Sequence, residues 1–113
     1  MATIPNLFAP ERWAKAGSSG IWSQTISGNP REGRYVALAY FEPGASAGMH
    51  HHATAHMFLF LDGEADDVIV YPDGRREVCV RRKGDFVEYD YPVEHFTYSR
   101  HGCLILFEHD AKA

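Results

Sequence analysis

The chain alternates short apolar runs with turn residues. Eight runs of strand length, rich in Val, Ile, Tyr, Phe and Thr, are separated by Gly, Pro, Asn and Asp. They are Ile21–Ile26, Arg34–Glu42, His56–Leu61, Asp67–Tyr71, Arg76–Arg82, Phe86–Tyr89, His95–Tyr98 and Cys103–Glu108. Many short strands with regularly spaced turns are typical of an antiparallel sandwich or small barrel. We therefore predict an all-β fold.

The 113 residues are enough for one domain, and the sequence contains no repeat or linker. The single helical candidate is Pro10–Ala16, which has an early proline and a following Gly17. We therefore expect one domain over residues 1–113, with a barrel core over about 34–108 and an N-terminal arm over 1–33.

A hairpin is predicted at Pro72-Asp73-Gly74, which lies between two alternating runs. Basic residues lie in and beside the run Arg76–Arg82, but apolar and acidic residues interrupt them. The net charge of the chain is −4. The basic residues are Arg75, Arg76, Arg81, Arg82 and Lys83. We interpret them as a solvated face of the hairpin and expect no nucleic-acid partner, because such a partner requires a clustered basic surface.

Composition excludes other classes. With 45% apolar and 13% aromatic residues, the chain can bury a core. No stretch approaches the roughly 18–20 apolar residues of a membrane span. We expect no signal peptide, because no charged segment followed by an apolar one stands at the start of this sequence. Cys79 and Cys103 are far apart and flanked by apolar residues, which favours free thiols over a disulfide. We expect a cytoplasmic protein with no membrane partner.

Four histidines lie at the spacing of a single metal site. The first three belong to a G-x5-H-x-H-x3-H-x6-G pattern formed by Gly44, His50, His52, His56 and Gly63. A second block follows, in which Gly84, Pro92, His95 and Ser99 run as G-x7-P-x2-H-x3-S. Neutral imidazole is the commonest protein ligand for divalent first-row metals, at roughly 2.0–2.1 Å. We predict His50, His52, His56 and His95 as metal ligands.

Strand parity separates these ligands from the remaining histidines. Residues i and i+2 project from one face of a strand, so His50 and His52 face one way and His51 faces the other. His95 has to come from a distant strand, which a barrel brings back beside the first pair. We expect His101 and His109 to be surface residues.

Two groups of side chains lie near the predicted ligands in the sequence. Phe58 and Phe60 share parity with His56, so we expect them to line an apolar pocket. Polar residues around His95 could handle protons, but none can be singled out, and the catalytic residues stay unassigned. They are Glu88, Asp90, Tyr91, Glu94, Thr97 and Tyr98. Ser46 and Ser99 have no His–acid relay at recognisable spacing, so nothing supports nucleophilic catalysis.

The segment Met57–Leu61 is apolar on both faces. Its outward side chains need a cover, and they are Met57, Leu59 and Leu61. The N-terminal segment Ile4–Trp13 or a second subunit could provide it. We expect a homodimer.

The two histidine blocks resemble the motifs of the cupin superfamily. Its first motif, G-x5-H-x-H-x3–4-E-x6-G, is matched at Gly44, His50, His52 and Gly63, with His56 at the glutamate position. Its second motif, G-x5-P-x-G-x2-H-x3-N, is matched at Gly84 and His95. Asp90, Pro92 and Ser99 stand at its proline, second glycine and asparagine. The resemblance spans roughly residues 34–108. It implies a jelly-roll-like double-stranded β-helix, a barrel of two antiparallel sheets with the metal at its mouth, and adds weight to a dimer.

Histidine at the glutamate position changes the expected chemistry. A divalent ion held by four neutral imidazoles keeps its full charge, and no ligating carboxylate is present to act as a base. Four protein ligands on an octahedral ion leave two positions for a chelating substrate, or for substrate and dioxygen. Imidazoles suit Fe, Mn, Zn, Cu and Ni, so the identity of the one metal ion stays open.

Similar four-histidine sites occur in small bacterial monocupins that hold manganese or zinc, among them aromatic polyketide cyclases. Three-histidine relatives include iron dioxygenases that cleave diketones and aromatic ketones. We therefore expect a metal-dependent dioxygenase acting on a small aromatic or dicarbonyl molecule. The alternatives are a non-redox Lewis-acid enzyme, such as a cyclase, isomerase or lyase, and a non-catalytic cupin that binds a metal or small molecule.

Overall fold

The computed structural model describes residues 8–16, 20–52, 56–89 and 93–110, and the side chains at 48–52, 56 and 93 lie outside this description. Within these residues, a 3-10 turn at Pro10–Arg12 precedes nine strands. They are β1 (Ala14–Lys15), β2 (Ile21–Gly28), β3 (Arg34–Phe41), β4 (Ala45–His52), β5 (His56–Val70), β6 (Arg76–Arg82), β7 (Phe86–Tyr89), β8 (Val93–Ser99) and β9 (Cys103–Asp110).

The strands form a curled antiparallel sheet, which confirms the predicted all-β barrel class. The path runs β1-β2-β3-β9-β5-β8-β4, and β6 and β7 also pair with β5. The long strand β5 joins the two halves of the barrel. Its first part pairs with β7 and β9, whereas residues 64–70 pair with β6, and 66–70 also with β8.

The predicted break between the runs His56–Leu61 and Asp67–Tyr71 is wrong, because β5 continues through Asp62 and Gly63. The ladder with β9 shifts register between Phe60 and Asp62. Gly63 has a φ of 75°, and a Cβ there would lie 2.2 Å from the carbonyl oxygen of Gly102. A bulge next to a glycine lets a strand bend sharply without ending. This bend carries β5 from one sheet to the other.

The N-terminal helix is also shorter than predicted. The helical turn covers Pro10–Arg12 only, and Ala14–Lys15 pairs with β2 instead. A single turn of helix is marginal without tertiary support, whereas a strand gains ladder hydrogen bonds at once. None of the helical structure in the described part of the chain is long and apolar enough to cross a membrane.

Alternate residues on the strands fill the barrel interior. The buried cluster includes Ala39, Phe41, Phe60, Ile69 and Ile105. Cys79 is half-buried and Cys103 is buried, and both are free thiols, as predicted. The β5–β6 hairpin turns at the predicted position.

Candidate functional site

His95 lies in the barrel interior, on the central part of β8. It is 2% exposed. Its backbone faces His50 on β4 on one side and Ile69 on β5 on the other. The backbone register therefore places the first histidine block beside the strand that carries His95, as predicted.

The other predicted ligands are placed by their backbones alone. His52 faces Val93 across the β4–β8 ladder, and His56 begins β5 opposite Tyr89. The side chains of His50, His52 and His56 lie outside the described residues, so the four-histidine site stays a prediction. Among the side chains that are described, no three His, Cys, Asp or Glu residues gather as a metal site.

A buried carboxylate orients the ring of His95. Asp67 on β5 is 4% exposed, and its Oδ1 lies 2.7 Å from Nδ1 of His95. An ionised carboxylate only accepts hydrogen bonds, so Nδ1 carries the proton. The tautomer that results leaves Nε2 as the ring nitrogen with a lone pair for a metal.

Two further side chains hold the other oxygen of Asp67. The hydroxyl of Tyr89 donates to Oδ2 at 2.5 Å. Nη2 of Arg81 lies 3.5 Å from the same oxygen and 3.4 Å from the Tyr89 hydroxyl. Burial acts to raise the pKa of Asp67, but the hydrogen bonds from His95 and Tyr89 and the nearby positive charge outweigh it and lower the pKa. The carboxylate is thus kept ionised.

The same environment acts on the two donors. Burial, and then the hydrogen bond to Asp67, raise the pKa of the Tyr89 hydroxyl. Burial acts to lower the pKa of Arg81, yet its contacts with Tyr89 and Asp67 outweigh that effect and raise the pKa. Tyr89 is therefore a neutral donor and Arg81 a fixed cation beside the carboxylate.

Sequence reasoning missed this network. The interpretation of Arg81 as part of a solvated face is wrong, because its side chain is only 20% exposed and faces the interior. The remaining basic residues of the hairpin are exposed, as predicted. The signal for Asp67 was its shared parity with Ala65 and Ile69, both buried. The predicted break between Leu61 and Asp67 instead made Asp67 look like the start of a strand.

Aromatic rings surround His95. The ring centroid of Phe58 lies 5.8 Å from that of His95, 6.1 Å from Tyr89 and 6.4 Å from Phe107. Phe60, one pleat further along β5, is buried in the core. Phe58 is therefore the better placed of the two predicted pocket residues, and the pocket itself stays a prediction.

The candidate proton handlers around His95 differ in their surroundings. Glu88 and Glu94 are exposed, Tyr98 is half-buried, and Thr97 is buried opposite Asp67. Asp90 and Tyr91 lie outside the described residues. The described carboxylate that hydrogen-bonds to His95 is that of Asp67, not that of Glu88 or Glu94.

His109 differs from expectation, whereas His101 is exposed as predicted. His109 is half-buried because β9 extends to Asp110 and pairs His109 with Tyr35 on β3. Nδ1 of His109 lies 3.4 Å from the Tyr35 hydroxyl. Burial raises the pKa of Tyr35, and burial lowers that of His109 against the opposing charge of Asp110.

Known proteins share this fold and sequence pattern. A family model described as the ChrR cupin-like domain matches residues 7–113. The chain belongs to this cupin family. No curated protein matches the sequence of this cupin.

Solved structures share this fold. An RmlC-like cupin from Shewanella frigidimarina is 18% identical with a TM-score of 0.72, over 91% of this chain and 87% of that one. Oxalate decarboxylase from Bacillus subtilis is 20% identical with a TM-score of 0.72, over 97% of this chain but 30% of that one. KdgF from a Halomonas species is 14% identical with a TM-score of 0.71, over 89% and 88%. At these identities the likeness establishes the fold.

Proposed function

We propose that this cupin is a metal-dependent enzyme acting on a small aromatic or dicarbonyl molecule. His50, His52, His56 and His95 would hold one divalent ion. The observation that carries the proposal is the hydrogen bond from His95 to the buried carboxylate of Asp67.

This hydrogen bond fits a metal ligand. Metal-binding histidines almost always donate their second ring N–H to a carboxylate, a backbone carbonyl or water, which fixes the tautomer and raises ligand basicity. The register supports the same assignment, because facing residues of an antiparallel pair have Cα atoms about 4.5–5.5 Å apart. His50 and His95 face each other in this way, close enough for two imidazoles to share one ion.

The residues around His95 would prepare the site. Tyr89 and Arg81 keep Asp67 ionised, and Asp67 keeps the proton of His95 on Nδ1. Phe58 places an apolar ring beside the imidazole, where it would contact the apolar body of a substrate and exclude water. A bound redox-active ion would supply Lewis acidity and electrons for reaction with dioxygen.

Oxygenation is the first candidate reaction, because a four-imidazole set leaves positions for a chelating substrate together with dioxygen. The test combines elemental analysis of protein purified without added metal with an oxygen electrode, using 2,4-pentanedione and catechol as substrates. We expect iron near one ion per chain and oxygen uptake that depends on substrate and is lost in H95A. Iron-loaded protein that consumes no oxygen with either substrate would contradict oxygenation.

A lyase reaction without net uptake of oxygen is the second candidate, and the likeness to oxalate decarboxylase favours it. That protein is named for removing a carboxyl group from a small dicarboxylate, and its Mn(II) centres are named as well. For this chain, the second candidate predicts turnover of oxalate or a 2-oxo acid under nitrogen by manganese- or zinc-loaded protein. Binding of these molecules without turnover under either gas would instead indicate a non-catalytic binding cupin.

A further inference from the structure

A polar pair lies at one end of the barrel interior. Tyr35 and His109 face each other across the β3–β9 ladder. The next pairs on the same face are Ala37 with Phe107 and Ala39 with Ile105, and Ala37, Ala39 and Ile105 are buried. Strand parity therefore directs Tyr35 and His109 toward the interior, where core packing alone favours apolar side chains.

Aromatic rings connect this pair to the candidate metal ligand. The ring centroids of Tyr35 and Phe107 are 5.9 Å apart, with an edge-to-face angle of 80°. Phe107 lies 6.4 Å from Phe58, which lies 5.8 Å from His95. One side of the interior is thus a continuous aromatic wall with His95 at one end and the polar pair at the other.

The chemistry of the two ends differs. A chelating group of a ligand would belong at the His95 end, whereas a phenol and an imidazole can each donate or accept a hydrogen bond. The only other interior side chains of β3 between Tyr35 and Phe41 are those of Ala37 and Ala39, which take little space beside the wall. An elongated molecule with two polar ends matches this arrangement better than a wholly apolar one.

We propose that Tyr35 and His109 are specificity-determining residues that bind a polar group at the far end of the substrate, such as a hydroxyl or carboxylate. The apolar body of the substrate would lie along Phe107 and Phe58. This inference rests on the proposed function, because it assumes that the other end of the substrate chelates a metal held by His95.

The test compares two probes that differ only at the far end. Phenylglyoxylate and 4-hydroxyphenylglyoxylate carry the same chelating 2-oxo acid, and calorimetry measures their binding to zinc-loaded protein. We expect wild type to prefer the hydroxylated probe, and Y35F and H109F to bind that probe about threefold to tenfold more weakly, the effect of one hydrogen bond. Binding of phenylglyoxylate should not change. Y40F is the matched control, because Tyr40 lies on β3 with its side chain on the outer face.

The outcomes separate the two claims. Equal binding of the two probes by wild type, or equal losses for both probes in the variants, would overturn the role of Tyr35 and His109 and leave the metal site intact. A wild-type protein that binds zinc but neither probe, or does not bind zinc, would overturn the proposed function and this inference with it. Zinc content and thermal unfolding of each variant exclude a loss of structure as the cause.

Discussion

Asp67 and His95 are joined by a hydrogen bond of 2.7 Å, although 28 positions separate them in the chain. On the paired strands β5 and β8, Asp67 faces Thr97 and His95 faces Ile69, so the two are diagonal neighbours on the interior face. Diagonal neighbours on one face are within reach of long side chains. The register of the ladder therefore places the Asp67 carboxylate against Nδ1 of His95. This contact fixes the tautomer in which Nε2 would bind a metal.

Replacing Asp67 should weaken metal binding more than its position outside the ligand set suggests. D67N removes the charge that holds the Nδ1 proton of His95 and leaves the half-buried Arg81 cation beside a neutral group. We expect a fall of about 10–100-fold in metal affinity, measured by competition with a chromogenic chelator. D66N is the matched control, since Asp66 is exposed. Equal affinities in the two variants would show that Asp67 does not act on a metal ligand.

The bend in β5 makes Gly63 a sensitive position. Both Gly63 and Gly74 have positive φ, but a Cβ at Gly74 meets nothing within 4 Å, whereas one at Gly63 would overlap backbone atoms of Gly102 and Cys103. G74A should lower the free energy of unfolding by about 1–2 kcal/mol, the cost of the backbone conformation alone. G63A should cost clearly more, as measured by urea unfolding. Equal costs would mean that the bend relaxes freely.

The neutral charge of the predicted ligand set is testable at His56. We expect H56E to retain metal, because a carboxylate occupies this position in the common cupin motif and binds at a similar distance. The added negative charge should change the metal bound or the activity. Elemental analysis and the oxygen electrode measure both. Unchanged metal and activity would show that the four-imidazole set has no functional importance.

The outer face of the sheet bears on assembly, and we propose a homodimer through it. Met57 and Leu59 are half-buried and line a cavity of about 310 Å³ with Val36, Phe86 and Leu106. The described N-terminal residues line a different cavity, beside Trp22 and Leu104. Burying each such apolar side chain is worth roughly 1.5–3 kcal/mol before association costs.

Sedimentation equilibrium at micromolar concentration decides the assembly. We expect a dimer for wild type and a monomer for F86E. The control is V78E, because Phe86 and Val78 are both 61% exposed but Val78 lies on β6, outside this face. A wild-type mass near the single-chain 12.7 kDa would contradict the dimer.

The strands could be predicted because alternation and turn residues are local signals. The barrel and the β5–β6 hairpin followed from them, and the free thiols followed from the separation and apolar flanks of the two cysteines. The break before Asp67 was wrongly predicted because glycine with positive φ occurs in turns and in bulges alike. The close approach of Gly102 to Gly63, which the sequence does not show, distinguishes the bulge from a turn. The strand β9 runs two residues beyond the predicted Cys103–Glu108, and His109 was therefore expected on the surface.

The four histidines stay a prediction from their spacing, whereas the surroundings of His95 could not be predicted from the sequence. The spacing of His50, His52 and His56 lies within one block, whereas Asp67, Arg81 and Tyr89 come from three strands that meet only through the ladders of β5. Strand parity with Ala65 and Ile69 was the local sign that Asp67 faces inward, but the break expected before Asp67 obscured it. Pairing of distant strands decides such positions.

The central claim is that four histidines hold one metal ion, and metal content per chain tests it most directly. Each of H50A, H52A, H56A and H95A is purified beside wild type without added metal and analysed by inductively coupled plasma mass spectrometry. H51A and H101A are the controls, because His51 has the opposite strand parity and His101 is exposed. We predict about one ion per chain in wild type and both controls, and a strong loss in all four variants. A wild-type protein without stoichiometric metal, or an H51A variant that loses metal as fully as H52A, would contradict the account.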